Sequence, residues 1–322
     1  MSIEIIAADI GGTNARYALA TIEGARVTHL SDPITFPTAA HASLAASWAA
    51  FGQALGRPLP ETASIAVACP LAGDILAFTN NPWVLRRATL AAELNLKTLT
   101  LINDFGAIGH ALAQVTSADF LHLTGPEIPL PETGAITLLG PGTGLGAALV
   151  LRGDAKSHVI ATEAGHQDFA PLDAIEDAIL THLRRRFTRV SIERLISGPG
   201  LVNIFEALAA IEQSAITPMD DKSLWTLALA GQSPLATAAL SRFCQIFGAA
   251  AGDLALAHGA GAVVLTGGIA PRIAHLLPAS GFAARFCAKG RLHPQLANIP
   301  VKLLTHPHPG LLGAAAAFAQ AQ

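Results

Sequence analysis

An apolar strand that runs into glycines and turns straight back occurs twice in this chain, and it limits the fold more than any other feature. The first copy is Ile5 to Leu19, with Gly11-Gly12-Thr13-Asn14 at its tip. The second is Ala135 to Leu151, with Gly140-Pro141-Gly142-Thr143-Gly144-Leu145-Gly146 between its arms. β-Branched residues suit the pleat, and paired glycines allow the positive φ that short hairpins use. One such hairpin heading each half predicts an internally duplicated architecture. No shorter repeat is visible. Each tip is also a chemical surface. Glycines bare the backbone N–H groups, and Thr13, Asn14 and Thr143 add side-chain donors, so each tip forms a nest suited to phosphate oxygens. Asp9 ends the first strand and sets a carboxylate beside those donors, where a Mg²⁺ carrying phosphates would sit. Read alone, either hairpin is also an ordinary turn. Neither is a P-loop or a dinucleotide fingerprint, because no GK[ST] follows and the turn joins strand to strand.

The segments between these hairpins alternate strands with helices. A third strand is expected near Val27, a turn at Ser31-Asp32-Pro33 and a helix from His41 to Leu55. Ser64–Ala68 and Ile75–Phe78 read as strands, Thr79–Trp83 as a polar loop containing Asn80, Leu85–Leu94 as a helix and Thr98–Ile102 as a buried strand. Such alternation predicts a mixed sheet covered by helices. Asn103-Asp104 follows the last of those strands, just before a helix expected over Ala107–Ala113. Ligands of open α/β sheets gather outside the carboxyl ends of strands. Asp104 is therefore placed for chemistry, and equally for capping the helix.

Pro126–Gly134 marks a loop near a domain boundary. Beyond the second hairpin, Thr162-Glu163-Ala164-Gly165-His166-Gln167-Asp168 crowds polar groups into a loop. Glu163 and His166 suit a polyhydroxy ligand, a metal or simply solvent. Helices are expected over Ile175–Phe187, Leu201–Ile211 and Asp220–His258, the last interrupted near Gly231–Pro234. Gly198-Pro199-Gly200 reads as a break before the second of them. Arg184-Arg185-Arg186 suits a solvated helix end. Strand Ala262–Thr266 leads into a third glycine turn, Gly267-Gly268, where a flat ring could rest on bare backbone. Strand Val301–Leu304 and a terminal helix from Pro309 close the chain.

Composition narrows the class. The 322 residues suit two domains, and 51% are hydrophobic with only 13% charged, about half the usual share of charge. A net charge of −3 provides no basic field for nucleic acid. No apolar run suits a membrane span, Met1-Ser2-Ile3-Glu4 lacks a signal-peptide pattern, and Cys69, Cys244 and Cys287 are isolated. A cytoplasmic protein is expected.

Together the three glycine turns resemble the phosphate-1, phosphate-2 and adenosine motifs of the actin-like ATPases. More narrowly, the chain resembles the bacterial ATP-dependent glucokinases. The resemblance runs from near residue 5 to near residue 318 through Asp9–Asn14, Ile102–Phe105, Gly142–Gly146, Glu163–Pro171, Ser191–Leu201, Thr266–Arg272 and Pro309–Gly313. Ala8 and Ala164 stand where glycine is expected, and Pro307-His308 where Asn is commoner. The resemblance implies an α/β fold of two actin-like ATPase (ribonuclease H-like) domains with a cleft between them. The smaller would comprise residues 1–113 plus 303–322, and the larger 114–302. It implies ATP bound by Ala8, Asp9, Ile10, Gly11, Gly12, Thr13, Asn14, Gly142, Thr143, Gly144, Gly267 and Gly268, with Mg²⁺ held by Asp9 through water. Asp104 would be the catalytic base, and Asn103, Glu163, His166, Glu193 and Asn80 would join it around D-glucose. A homodimer is typical of the family. The alternatives are a kinase for mannose, fructose or N-acetylglucosamine, and a sugar-responsive regulator, which would carry a DNA-binding helix pair absent here.

Overall fold

A computed structural model of the chain describes residues 2–78, 80–153 and 156–322. Thr79, in the expected polar loop, lies outside the described residues. In chain order the elements are β1 (Ser2–Ile10), β2 (Asn14–Glu23), β3 (Arg26–Leu30), β4 (Ile34–Pro37), α1 (Leu44–Leu55), β5 (Thr62–Val67), β6 (Ile75–Ala77), β7 (Val84–Arg86), α2 (Arg87–Glu93), β8 (Thr98–Asn103) and α3 (Asp104–Ala111). There follow β9 (Phe120–Thr124), β10 (Gly134–Pro141), β11 (Leu145–Arg152), β12 (His158–Thr162), α4 (Ala174–Arg184), α5 (Gly198–Ile211), α6 (Asp221–Leu229) and α7 (Pro234–His258). The chain ends with β13 (Ala262–Leu265), α8 (Ala270–Ile273), α9 (Phe282–Cys287), α10 (His293–Ala297), β14 (Val301–Leu304) and α11 (Pro309–Ala321). Its contacts divide into two compact units. One spans 1–116, 155–161 and 306–322, and the other 117–154 and 162–305.

The first sheet has the order β3-β2-β1-β5-β8, with β4 also paired to β2. The second runs β12-β11-β10-β13-β14-β9. The two share a pattern. In each, the first strand of a glycine hairpin (β1, β10) pairs antiparallel with its partner (β2, β11) and parallel with a later strand (β5, β13), which pairs parallel with another (β8, β14). The expected duplication is thus present as a repeated mixed topology.

Alternation along β1 decides what each of its residues meets. Ile6, Ala8 and Ile10 enter one core with Tyr17, Trp48, Phe51 and Trp83. Ile5 and Ala7 enter the other with Leu311, Ala314, Ala315 and Phe318 of α11. Asp9 shares the odd-numbered face and so meets the start of α11. A Cβ on Gly310 would stand 2.9 Å from the Asp9 Cγ. Farther along α11, a Cβ on Gly313 would stand 1.7 Å from the Ala107 carbonyl oxygen. The backbones of α3 and α11 therefore touch, which only glycine permits.

In the second unit α7 runs for 25 residues and meets α9 in the same way, with Gly248 and Gly252 facing the Phe282 and Phe286 carbonyls. Beside this crossing lies a buried ion cluster. Glu176 of α4, fully buried, accepts two 2.8 Å bonds from Arg285 of α9, one of 3.0 Å from Arg242 of α7 and one of 2.8 Å from the Leu172 N–H.

Several expected elements differ. Leu85 belongs to a short strand, and α2 begins only at Arg87. Gly198-Pro199-Gly200 forms the first turn of α5, because proline's missing N–H is harmless there. Asp104 already lies within α3, and β9 and β12 were not evident in the sequence.

Two substitutions test this frame. Gly313→Ala is expected to cost at least about 3 kcal/mol in chemical denaturation, since neither backbone can yield. Glu176→Ala, which removes the buried carboxylate and leaves Arg242 and Arg285 only Asp173 at 2.5 and 3.8 Å, is expected to cost about 3–5 kcal/mol in the same measurement.

Candidate active site

The first glycine turn is closed by a 2.9 Å bond from the Gly11 N–H to the Asn14 carbonyl, with Thr13 exposed at its apex. Neither Gly11 nor Gly12 has a positive φ. The expected conformational reason is therefore absent, and at Gly12 alone a steric one replaces it, since a Cβ on Gly11 would meet nothing nearer than the Asn14 oxygen at 3.5 Å. A Cβ on Gly12 would approach the Asn80 Cβ to 3.1 Å. Thr38 supports the turn by donating from Oγ1 to the Gly12 carbonyl at 2.8 Å and from N–H to the Thr13 carbonyl at 2.9 Å. Buried Asn81 reaches the Gly11 carbonyl with Nδ2 at 3.5 Å and accepts from the Trp83 N–H. Sequence reasoning missed Thr38 and Asn81. The only available signal was a hydroxyl beside the rigid Pro37 and an amide beside Pro82.

Of the residues expected at the nucleotide, Ala8 and Ile10 bury their side chains and offer only backbone. Asp9 is paired with Arg16, its cross-strand neighbour, at 3.3 Å. Burial raises its carboxyl above the usual range, opposed by the charge and hydrogen bond of Arg16 and the charge of His308. A divalent cation needs oxygen donors. Among the described residues no cluster of three His, Cys, Asp or Glu side chains is present to hold one. A single carboxylate still fits Mg²⁺, which keeps several waters and completes its shell with phosphate oxygens.

Asn103 ends β8, and its Oδ1 caps α3, accepting from Phe105 N–H at 3.0 Å and Gly106 N–H at 3.1 Å. Sequence reading gave that role to Asp104 as an alternative. With Asn103 as the cap, Asp104 is the first residue of the helix. Its Oδ1 accepts from the Phe105 N–H at 2.9 Å. Cys69 lies close by, and its thiol is pushed up to about 11 by burial and by the Asp104 charge.

In the second unit the turn Gly142–Gly144 repeats the design. The Gly142 N–H donates to the Gly144 carbonyl at 2.8 Å, Thr143 is exposed at the apex, and no glycine here has a positive φ. The Gly142 carbonyl accepts from the Gly198 N–H at 2.8 Å. The third turn is laced to the same strand. Thr266 N–H bonds the Leu139 carbonyl and Ile269 N–H the Pro141 carbonyl, both at 3.0 Å. Gly267, at φ 84°, would place a Cβ 2.7 Å from the Pro141 oxygen, so here glycine serves both conformation and closeness. Gly268 is exposed and open.

Glu163 and His166 are exposed on a short turn closed by the His166 N–H to Glu163 carbonyl bond at 3.0 Å. Residues 167–169, which follow, meet residues 190–192 at an isolated antiparallel bridge, with Phe169 N–H to Val190 O at 3.0 Å and Ile192 N–H to Gln167 O at 2.9 Å. This joins the segment of Glu163 and His166 to that of half-buried Glu193. Glu193 Oε2 accepts from the Leu145 N–H at 2.9 Å. Asn80, on the first unit, is exposed.

These turns, in this order and on this repeated topology, coincide with a family match: the profile described as Glucokinase covers residues 6–321. The chain belongs to the glucokinase family. Among its curated relatives, the glucokinase of Zymomonas mobilis subsp. mobilis is 57% identical over 317 residues, 98% of each chain. The crystal structure of a glucokinase from an Antarctic psychrotroph matches at TM-score 0.84 and 34% identity, covering 98% of each chain. That of the Balamuthia mandrillaris glucokinase in complex with glucose matches at TM-score 0.80 over 100% of this chain and 94% of that one. At 20% identity it bears on the fold alone. Among the described residues no helix is long and apolar enough to cross a membrane.

Thr38→Val keeps the side chain's shape and deletes its bond to Gly12. The first glycine turn is expected to loosen, with faster amide hydrogen exchange over residues 11–14 and a stability loss of about 1 kcal/mol.

Proposed function

We propose that this chain is an ATP-dependent kinase that phosphorylates D-glucose to glucose 6-phosphate. The observation that carries the reading is the family match over residues 6–321. The local chemistry agrees with it. Phosphoryl transfer asks for positioning and charge stabilisation more than for covalent help. The glycine backbones and the exposed Thr13 and Thr143 of the turns Gly11–Asn14 and Gly142–Gly144 suit phosphate oxygens, and Gly267-Gly268 leaves bare backbone for the adenosine.

In this reading Asp104 takes the proton of the sugar 6-hydroxyl as that oxygen attacks the γ-phosphorus, while the bond from that phosphorus to the β,γ-bridging oxygen breaks and ADP leaves. Asp104 lies at the start of α3, just beyond the carboxyl end of β8, where ligands of open α/β sheets gather. Asn103, Glu163, His166 and Glu193 surround the remaining hydroxyls, with Asn80 contributing from the loop that packs against Gly12. Asn103 uses Oδ1 for its helix cap and one Nδ2 hydrogen on the Cys69 carbonyl at 3.5 Å, so the other Nδ2 hydrogen is what it offers the sugar. Asp9 holds Mg²⁺ through water, and the ion supplies neutralisation of phosphate charge. The family resemblance further implies that nucleotide and sugar lie between the two units, that these close on binding and exclude water, and that two copies associate in the cytoplasm.

Asp104→Asn is the central test. Turnover measured by coupled ADP release is expected to fall by about 10²–10⁴-fold, the usual share of a general base. Glucose affinity by calorimetry is expected to stay within about twofold of the parent. Equal losses in both would remove Asp104 from its role. The same assay run over mannose, fructose and N-acetylglucosamine is expected to rank glucose first. Small-angle scattering is expected to show a smaller radius of gyration with glucose present.

A further inference from the structure

Leu145 is the first residue after the Gly142–Gly144 turn, and both of its backbone groups face the segments assigned to the sugar. Its N–H donates to Glu193 Oε2 at 2.9 Å. Its carbonyl is approached so closely by Gly165, between Glu163 and His166, that a Cβ there would lie 2.3 Å from the oxygen. The Glu193 carboxylate also fills the place a side chain would take at residue 144. A Cβ on Gly144 would stand 2.5 Å from Oε2 but 3.9 Å from Oε1. Glu193 is itself fixed, because its carbonyl accepts from Ser197 Oγ at 2.8 Å at the start of α5, and the next residue, Gly198, donates to the Gly142 carbonyl. The phosphate turn is thus held at both ends by the chain that carries Glu193.

We propose that Glu193 is a positioning residue for the nucleotide as well as a ligand of the sugar: Oε2 holds the Gly142–Gly144 turn in shape through the Leu145 N–H, and Oε1 is left for a sugar hydroxyl. This rests on the kinase reading above and adds a second duty that the reading does not contain. A hydrogen bond from a backbone N–H to a charged carboxylate is stronger than a neutral one. It also presets a turn that would otherwise have to be ordered by the nucleotide at a cost in affinity. Sugar and nucleotide then share one side chain, and their affinities are coupled reciprocally.

Glutamine and alanine separate the two duties. Gln retains a carbonyl oxygen able to accept from Leu145 but replaces the other acceptor with a donor. Ala retains neither. Calorimetric titration of the full chain with Mg·ADP, without sugar, is expected to show affinity about tenfold weaker in Glu193→Ala and within about twofold of the parent in Glu193→Gln. Both variants are expected to lose glucose affinity by about tenfold or more. Gly144→Ala, whose methyl displaces only the end of a flexible side chain, is expected to weaken Mg·ADP as Glu193→Ala does while keeping the parent's melting temperature. Parent-like Mg·ADP affinity in Glu193→Ala overturns the proposal, and so does a Gln variant as impaired as the Ala variant. A parent chain that binds neither Mg·ADP nor hexose overturns the kinase reading instead.

Discussion

Two backbones touching without a side chain between them set the geometry of the first unit. Gly313 lets α11 lie against the Ala107 carbonyl of α3, and Gly310, one turn earlier, lets the same helix rest on the Asp9 carboxylate. Asp104 opens α3, and Asp9 ends β1. The two carboxylates with proposed chemical duties are therefore referred to one rigid object, a terminal helix whose buried residues are alanine, leucine and glycine with a single phenylalanine. Larger residues on α11 would still be apolar and would still be buried. They would also separate the helices and move both carboxylates.

The glycine turns obey a related rule. Hairpin logic assigns their glycines to positive φ, but only Gly267 of the third turn uses it. At Gly12 and Gly144 the reason is room, for Asn80 in one case and the Glu193 carboxylate in the other. Each turn stays short because its carbonyls are bonded from behind, by Thr38 and Asn81 in the first unit and by Gly198 in the second. The apical threonines, Thr13 and Thr143, stay exposed.

Much of this was legible in the sequence, for local reasons. Alternating apolar residues around glycine define both hairpins, and their recurrence announces the duplicated topology. Asn103-Asp104 was legible as a site because it follows a buried strand. Which of the two caps the helix was not, since both side chains can cap, and only the extended backbone at Asn103 decides it. β9 and β12 were missed because each is short and half-exposed, with Leu121 and Ile160 facing outward. Thr38, Asn81 and the Glu193 bond to Leu145 depend on pairs 26, 70 and 48 residues apart, beyond the reach of any periodicity.

The chain's three tryptophans are all buried, and they report on different places. Trp48 and Trp83 belong to the core beneath the first hairpin. Trp225 donates its indole N–H to the Gly198 carbonyl at 3.1 Å and lies under the Arg272 guanidinium, which extends from the helix opened by the third glycine turn. Gly198 in turn bonds Gly142. This indole is thus one peptide removed from the second turn and in contact with the arm of the third, so its emission is a built-in optical gauge of how those two loops are set.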